Sequence, residues 1–300
     1  MPAPIPPGYT RGPILFVGPA QERAAEEQLL QFFWEEAGAY GSRIVVVPPG
    51  DDDRALAQRY AQLFTEWESD SVQVLAVPDR AAALHPDHLD AVTGSTAVLL
   101  LGRNPVRLAS LLGGTPLAQA IRRANARGKA VGGVAGGAQL LCEHMMVVPG
   151  PALRDRPSLG RNGVQLAPGL GITNRVLLDP WTDPAAEPVG SWARLARLLQ
   201  AVAYNPFLVG VSLDPAAGGV IYPDNTLEIF GCQSALLVDA AGMTYTDVHE
   251  LGKTSPMSLL GVQVHALGPG FTFNLNQRTA HPPEESDIPD SAVPDERTTM

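Results

Sequence analysis

Cysteine is almost absent from this 300-residue chain: Cys142 and Cys232 are the only two. They give no disulfide framework and no metal-ligand spacing, so no metal site is expected, and a reducing cytoplasm fits. Positive charge is also short. Lys and Arg number 21 against 31 Asp and Glu, a formal net charge of −10. That balance argues against non-specific binding to nucleic acid or to an anionic membrane, both of which need a basic face. No apolar run is long enough to span a bilayer. The Pro-rich start, residues 1–12, has no apolar core like that of a secretory leader.

Glycine and proline are abundant, 30 and 28 residues, as a fold with many short turns requires. Apolar runs at 14–17, 43–47, 72–77, 97–101 and 129–133 read as buried strands. Helical spacing separates them: Leu29, Leu30, Phe33 and Ala37 share one face, and 104–127 is helical with a break at Gly113-Gly114. Continuous apolar strands alternating with helices predict a parallel sheet covered on both faces. The stretch 139–148 reads as one helix, and 192–204 as another. From 209 to 273, short strands between turns predict antiparallel additions. The expected organisation is a flexible segment over 1–12, one α/β domain over 13–276, and a disordered acidic tail over 277–300.

One glycine-rich turn carries the chemical question. Gly132-Gly133-Val134-Ala135-Gly136-Gly137-Ala138 follows a strand and precedes a helix. A phosphate loop would need G-x-G-x-x-G with a later acidic residue, or a Gly-Lys-Ser/Thr ending, and neither is present. Two readings stay open. One is a plain tight turn that lets a helix pack close to the sheet. The other is a nucleophile elbow, G-x-S-x-G, whose central position holds Ala135 and so has no nucleophilic atom.

Several segments in order resemble the cyanophycinase family of serine peptidases. They are Leu112-Gly113-Gly114-Thr115-Pro116-Leu117, the elbow itself, Glu143-His144-Met145-Met146, and Ala167-Pro168-Gly169-Leu170-Gly171. Further matches are Arg194 to Leu199, Asn205-Pro206, Gly210-Val211-Ser212-Leu213-Asp214 against a family G-I-G-I-D, Tyr245 to Glu250, and His265 to Gly268. The resemblance implies a flavodoxin-like three-layer α/β sandwich, mostly parallel with antiparallel C-terminal strands. It also implies a cytosolic dimer without cofactor or metal. The implied activity is a serine-type exopeptidase that releases β-Asp-Arg dipeptides from cyanophycin through a Ser-His-Glu triad.

Against that pattern this chain has lost its chemistry. The serine position falls on Ala135, the histidine position on Trp181, and the loop 149–154 that should hold the glutamate has no carboxylate. Asp155, between two arginines, reads as a solvated charge. The surroundings are partly kept: Asn104, the Gly136 N–H as half of an oxyanion hole, Asp179, and Arg194 and Arg197 at substrate-arginine positions, with Trp192 at a third. Trp181 and Trp192 suit either stacking on a guanidinium or plugging a disused site. Cys142 reads as a packed small hydrophobe. The expectation is an inactive member that binds a partner subunit, in a homodimer or in a heterodimer with an active paralogue, or an arginine-containing, cyanophycin-like ligand. The alternatives are a hydrolase of altered mechanism, using Asp179 or a nearby histidine to activate water, and an active cyanophycinase.

Overall fold

The structure, a computed structural model, describes residues 1–20, 22–50, 53–147, 164–179, 191–250 and 256–283. The chain opens with β1 (Ile14–Val17), α1 (Arg23–Glu36), β2 (Arg43–Val47), α2 (Arg54–Glu66), β3 (Ser71–Val74) and α3 (Pro86–Gly94). It continues with β4 (Ala97–Leu100), α4 (Pro105–Leu112), α5 (Pro116–Ala126), β5 (Ala130–Val134) and α6 (Gly136–Leu141). Then come β6 (His144–Val147), β7 (Gln165–Pro168), β8 (Val176–Leu178), α7 (Ser191–Tyr204), β9 (Val209–Leu213) and β10 (Ala217–Ile221). The end is all β: β11 (Thr226–Gly231), β12 (Ala235–Asp239), β13 (Tyr245–Thr246), β14 (Leu259–Leu260), β15 (Gln263–Leu267), β16 (Thr272–Asn274) and β17 (Thr279–His281).

A nine-stranded sheet with the order β17-β16-β11-β10-β1-β5-β4-β2-β3 forms the middle layer. The run from β1 to β3 is parallel, and β10, β11, β16 and β17 add on antiparallel beyond β1. A second sheet, β15-β12-β9-β8, packs with α7. Side chains alternate along each strand. Ile14 and Phe16 therefore enter one core with α3, α4, α5 and α6, while Leu15 and Val17 enter the other with α1 and α2. Leu29, Leu30 and Phe33 on α1 are fully buried, each contributing roughly 1.5–3 kcal/mol.

Local chemistry sets the helix starts. Asn104 and Thr115 cap α4 and α5, accepting from Arg107 N at 3.1 Å and Ala118 N at 3.3 Å, and each is followed by proline at the first helical position. Between the two helices Gly114 takes φ +74°, which makes the expected break.

Two expectations change. The stretch 139–148 is not one helix: α6 stops at Leu141, and β6 follows, pairing antiparallel with β7. That distant pairing overrides the local helical pattern, so Glu143 and His144 are not on the elbow helix. The last strand, β17, lies inside the stretch expected as tail, and residues 284–300 lie outside the described residues. Residues 1–12 form no helix or strand, yet Arg11 and Gly12 are tied to buried Asn125. Arg11 Nη1 reaches Asn125 Oδ1 at 3.1 Å, and Asn125 Nδ2 donates to Gly12 O at 2.9 Å.

Candidate functional site

The helix after β1 packs on one face of the sheet, and the helix after the neighbouring β5 packs on the other. This is a topological switch point, where open α/β sheets form a crevice at the carboxyl ends of their strands. Here the crevice is lined by Val17, Gly18 and Pro19 after β1 and by Ala135, Ala138 and Gln139 after β5. Leu178, Asp179 and Leu213 from the second sheet close it to about 20 Å³, room for about one water molecule.

The backbone at Ala135 bears on the two readings of the turn. Its φ is 53° and its ψ is −118°, a conformation L-residues rarely adopt. A plain turn would not need it; a nucleophile elbow does, because the reversal pushes the central side chain out over the sheet edge. Close packing holds the strain in place. A Cβ on Gly133 would lie 2.4 Å from the Gly137 carbonyl, and one on Gly137 would lie 2.2 Å from Leu100 O. A Cβ on Gly136 would meet Gly102 O at 2.6 Å, so the turn carrying Asn104 lies against the elbow. The Asn104 side chain itself is exposed and acts as the α4 cap.

Asp179, at the end of β8, reaches the crevice from the other side. Its side chain is 3% exposed, and both its oxygens are engaged. Arg197 grips it with two bonds, Nε to Oδ1 at 2.7 Å and Nη2 to Oδ2 at 3.1 Å. Ser212 donates to Oδ2 at 3.3 Å and accepts from Arg194 Nε at 2.7 Å. Arg194 also reaches Asp214 Oδ1 at 2.6 Å and the Leu213 carbonyl. Burial pushes the Asp179 carboxyl up from its ordinary value, while the hydrogen bonds and charges of Arg197 and Arg194 pull it down. Two arginines and two aspartates thus neutralise one another beside the elbow.

The structure therefore brings Ala135 and Asp179 to one cavity, with Arg194 and Arg197 behind the carboxylate. Trp192 is 53% exposed on α7. Trp181, Asp155 and the loop 149–154 lie outside the described residues. Cys142 is fully buried, and burial pushes its thiol up to about 12, which removes it as a nucleophile at neutral pH. Among the described residues no His/Cys/Asp/Glu group could hold a metal ion.

Sequence reasoning missed Gln139 and Ser212 as site residues. Gln139 is buried and donates to Leu178 O at 3.3 Å, bridging the elbow helix to the second sheet. Ser212 had a signal: it stands where the family pattern G-I-G-I-D has its second glycine.

No protein-family model matches the chain. It is 30% identical over 277 residues to the cyanophycinase of Geminocystis herdmanii (strain PCC 6308), covering 92% of this chain and 97% of that one. It is also 30% identical over 267 residues to the cyanophycinase of Synechococcus elongatus, covering 88% and 80%. In fold it is similar to the crystal structure of a peptidase from an acI-B1 Actinobacterium, with a TM-score of 0.64 and 20% identity over 89% of this chain and 98% of that one. A putative peptidase E protein from Listeria monocytogenes EGD-e gives 0.51 and 11% over 74% and 100%. These two likenesses show the fold alone. No described helix is long and apolar enough to cross a membrane.

Proposed function

The chain belongs to the cyanophycinase family, and we propose that it is a member without peptidase activity that acts by binding. One observation carries this reading: the elbow is built to its strained geometry, and its central residue is Ala135. Acyl transfer through a serine-type centre needs an attacking oxygen, a base to take its proton and a group to orient that base. Alanine supplies no oxygen, and the histidine position falls on Trp181. The bound partner is either a second subunit, of this chain or of an active paralogue, or an arginine-containing ligand of the cyanophycin type in the cytoplasm. The Gly136 N–H and the exposed Trp192 supply a polar and a stacking contact for such a ligand.

An active enzyme is the weaker reading. Direct water activation by Asp179 has a cavity for one water in its favour, but both carboxylate oxygens are already bonded to Arg197 and Ser212. A serine elsewhere fares no better. Ser95 bonds Val92 O and Ser110 bonds Arg107 O, each turned onto its own helix, and Ser158 lies outside the described residues.

The test is an assay of the purified full-length chain against cyanophycin and β-Asp-Arg peptides. The expected result is no turnover, together with a thermal shift on adding arginine or β-Asp-Arg, or a mixed dimer with an active paralogue by light scattering. Turnover that scales with protein and disappears on Asp179→Asn would overturn the proposal.

A further inference from the structure

A concave, carboxylate-free surface is unexpected on a chain with ten surplus negative charges. Such a groove, of about 410 Å³, runs along α5 from Pro116 to Arg127, beside α3. Arg123, Arg127 and Lys129 line it with Gln119, Thr93 and Tyr9, and no Asp or Glu among the described residues takes part. Gln119, Arg123 and Arg127 recur every fourth position, so they share one face.

The two arginines are exposed and form no ion pair or side-chain hydrogen bond among the described residues. Spaced at i and i+4, they repel each other, and no carboxylate among the described residues lining the groove offsets that repulsion. Lys129 is fixed, its ammonium bonded to Val92 O at 3.1 Å and to Thr93 O, which leaves one of its three donors for a ligand. Helix dipoles do not explain the cluster. The C-termini of α3 and α5 each present about half a negative charge, roughly one in all. Three cations exceed that by about two unit charges.

We propose that this groove is a binding site for a small polyanion, a polycarboxylate or a polyphosphate. Arg123 and Arg127 supply paired planar donors, and Lys129 and Gln119 supply the remaining hydrogen bonds. Guanidinium forks fit carboxylate and phosphate oxygens two at a time. The site is separate from the elbow. Lys129 precedes β5 and Ala135 follows it, so the two lie about 20 Å apart along the strand. Substrates of open α/β sheets bind at the carboxyl ends of strands. A ligand at the amino end is therefore a second ligand, and the inference holds whether or not the elbow is active.

Isothermal titration of the full-length protein at low ionic strength, with citrate and pyrophosphate in parallel, tests it. The expected result is one saturable site per chain for at least one of the two, weakened by added salt. Comparing the two anions tells carboxylate from phosphate recognition. Arg123→Ala/Arg127→Ala weakens binding at least tenfold with circular dichroism unchanged, while Arg23→Ala, an exposed arginine elsewhere, does not. If the double variant fails to fold, Arg127→Gln at the exposed helix end carries the same comparison. Absence of binding by both anions, or binding indifferent to the groove arginines, would overturn the proposal.

Discussion

Ala135→Gly is expected to raise the stability of the protein, although it deletes a methyl group from a partly buried position. Ala135 is held at φ 53°, ψ −118°, and a non-glycine residue in such a region costs of order 1–3 kcal/mol. Glycine removes that cost. Two effects oppose the gain. A glycine makes the unfolded chain more flexible, worth about 0.4–1 kcal/mol. A fully buried methyl is worth about 0.8 kcal/mol, and less here because Ala135 is partly exposed. Taking the middle of each range, the net gain is about 1 kcal/mol. Unfolding entropy near 2.1 cal/mol/K per residue over about 250 residues converts 1 kcal/mol into about 2 °C of Tm. Differential scanning calorimetry with a parallel urea titration measures it. Ala135→Val should move the other way by a larger amount, since a β-branched side chain tolerates positive φ least. A fall of 2 °C or more for Ala135→Gly would mean that the turn is unstrained, and the elbow reading would lose its structural support.

Arg197→Ala should destabilise by about 3–5 kcal/mol, because it strands the buried Asp179 carboxylate. Adding Asp179→Leu should recover most of that loss, and a double-mutant cycle by urea unfolding that shows additive effects would contradict the coupling. Thiol counting with a disulfide reagent at pH 8 should find one reactive cysteine in the native protein, exposed Cys232, and two after denaturation, since burial raises the Cys142 thiol to about 12; two fast native reactions would refute it. Glu36 is shifted up, first by burial and then by the neighbouring Glu228 and Glu35, against a hydrogen bond from Tyr222. Its ionisation is therefore opposed in the folded state, so its contribution is most favourable below the ordinary Glu range and declines as pH rises through the raised value. Glu36→Gln should accordingly gain stability relative to wild type at pH 7 compared with pH 4, and equal differences at the two pH values would count against it. Gly137→Ala should unfold the protein at markedly lower temperature, its Cβ meeting Leu100 O at 2.2 Å, whereas Gly94→Ala, with nothing within 4 Å, should be neutral or stabilising.

Local chemistry made much of the fold legible. The apolar strands 14–17, 43–47 and 97–100, the break at Gly113-Gly114, and the proline-started helices α4 and α5 follow from patterns read within a few residues. The position of the glycine-rich turn and the lack of an oxygen on its central residue, Ala135, were also legible in the residue order. Partners distant in the chain were not legible. The run Glu143-His144-Met145-Met146 reads as helix until β7, some twenty residues on, takes it as a strand. Arg194 and Arg197 read as ligand arginines until β8 and β9 place Asp179, Ser212 and Asp214 against them. Sequence alone determined that the central residue of this glycine-rich turn is Ala135, with no nucleophilic atom, because side-chain identity is local; it left open whether the turn is an elbow. Only the tertiary structure showed that the turn holds Ala135 at φ 53°, ψ −118° and that the arginines beside it are held by the protein's own carboxylates. Backbone strain is imposed by the packing of α6 onto the sheet, and charge pairing by β8 and β9, which are distant in the chain and become neighbours only when the second sheet forms against α7.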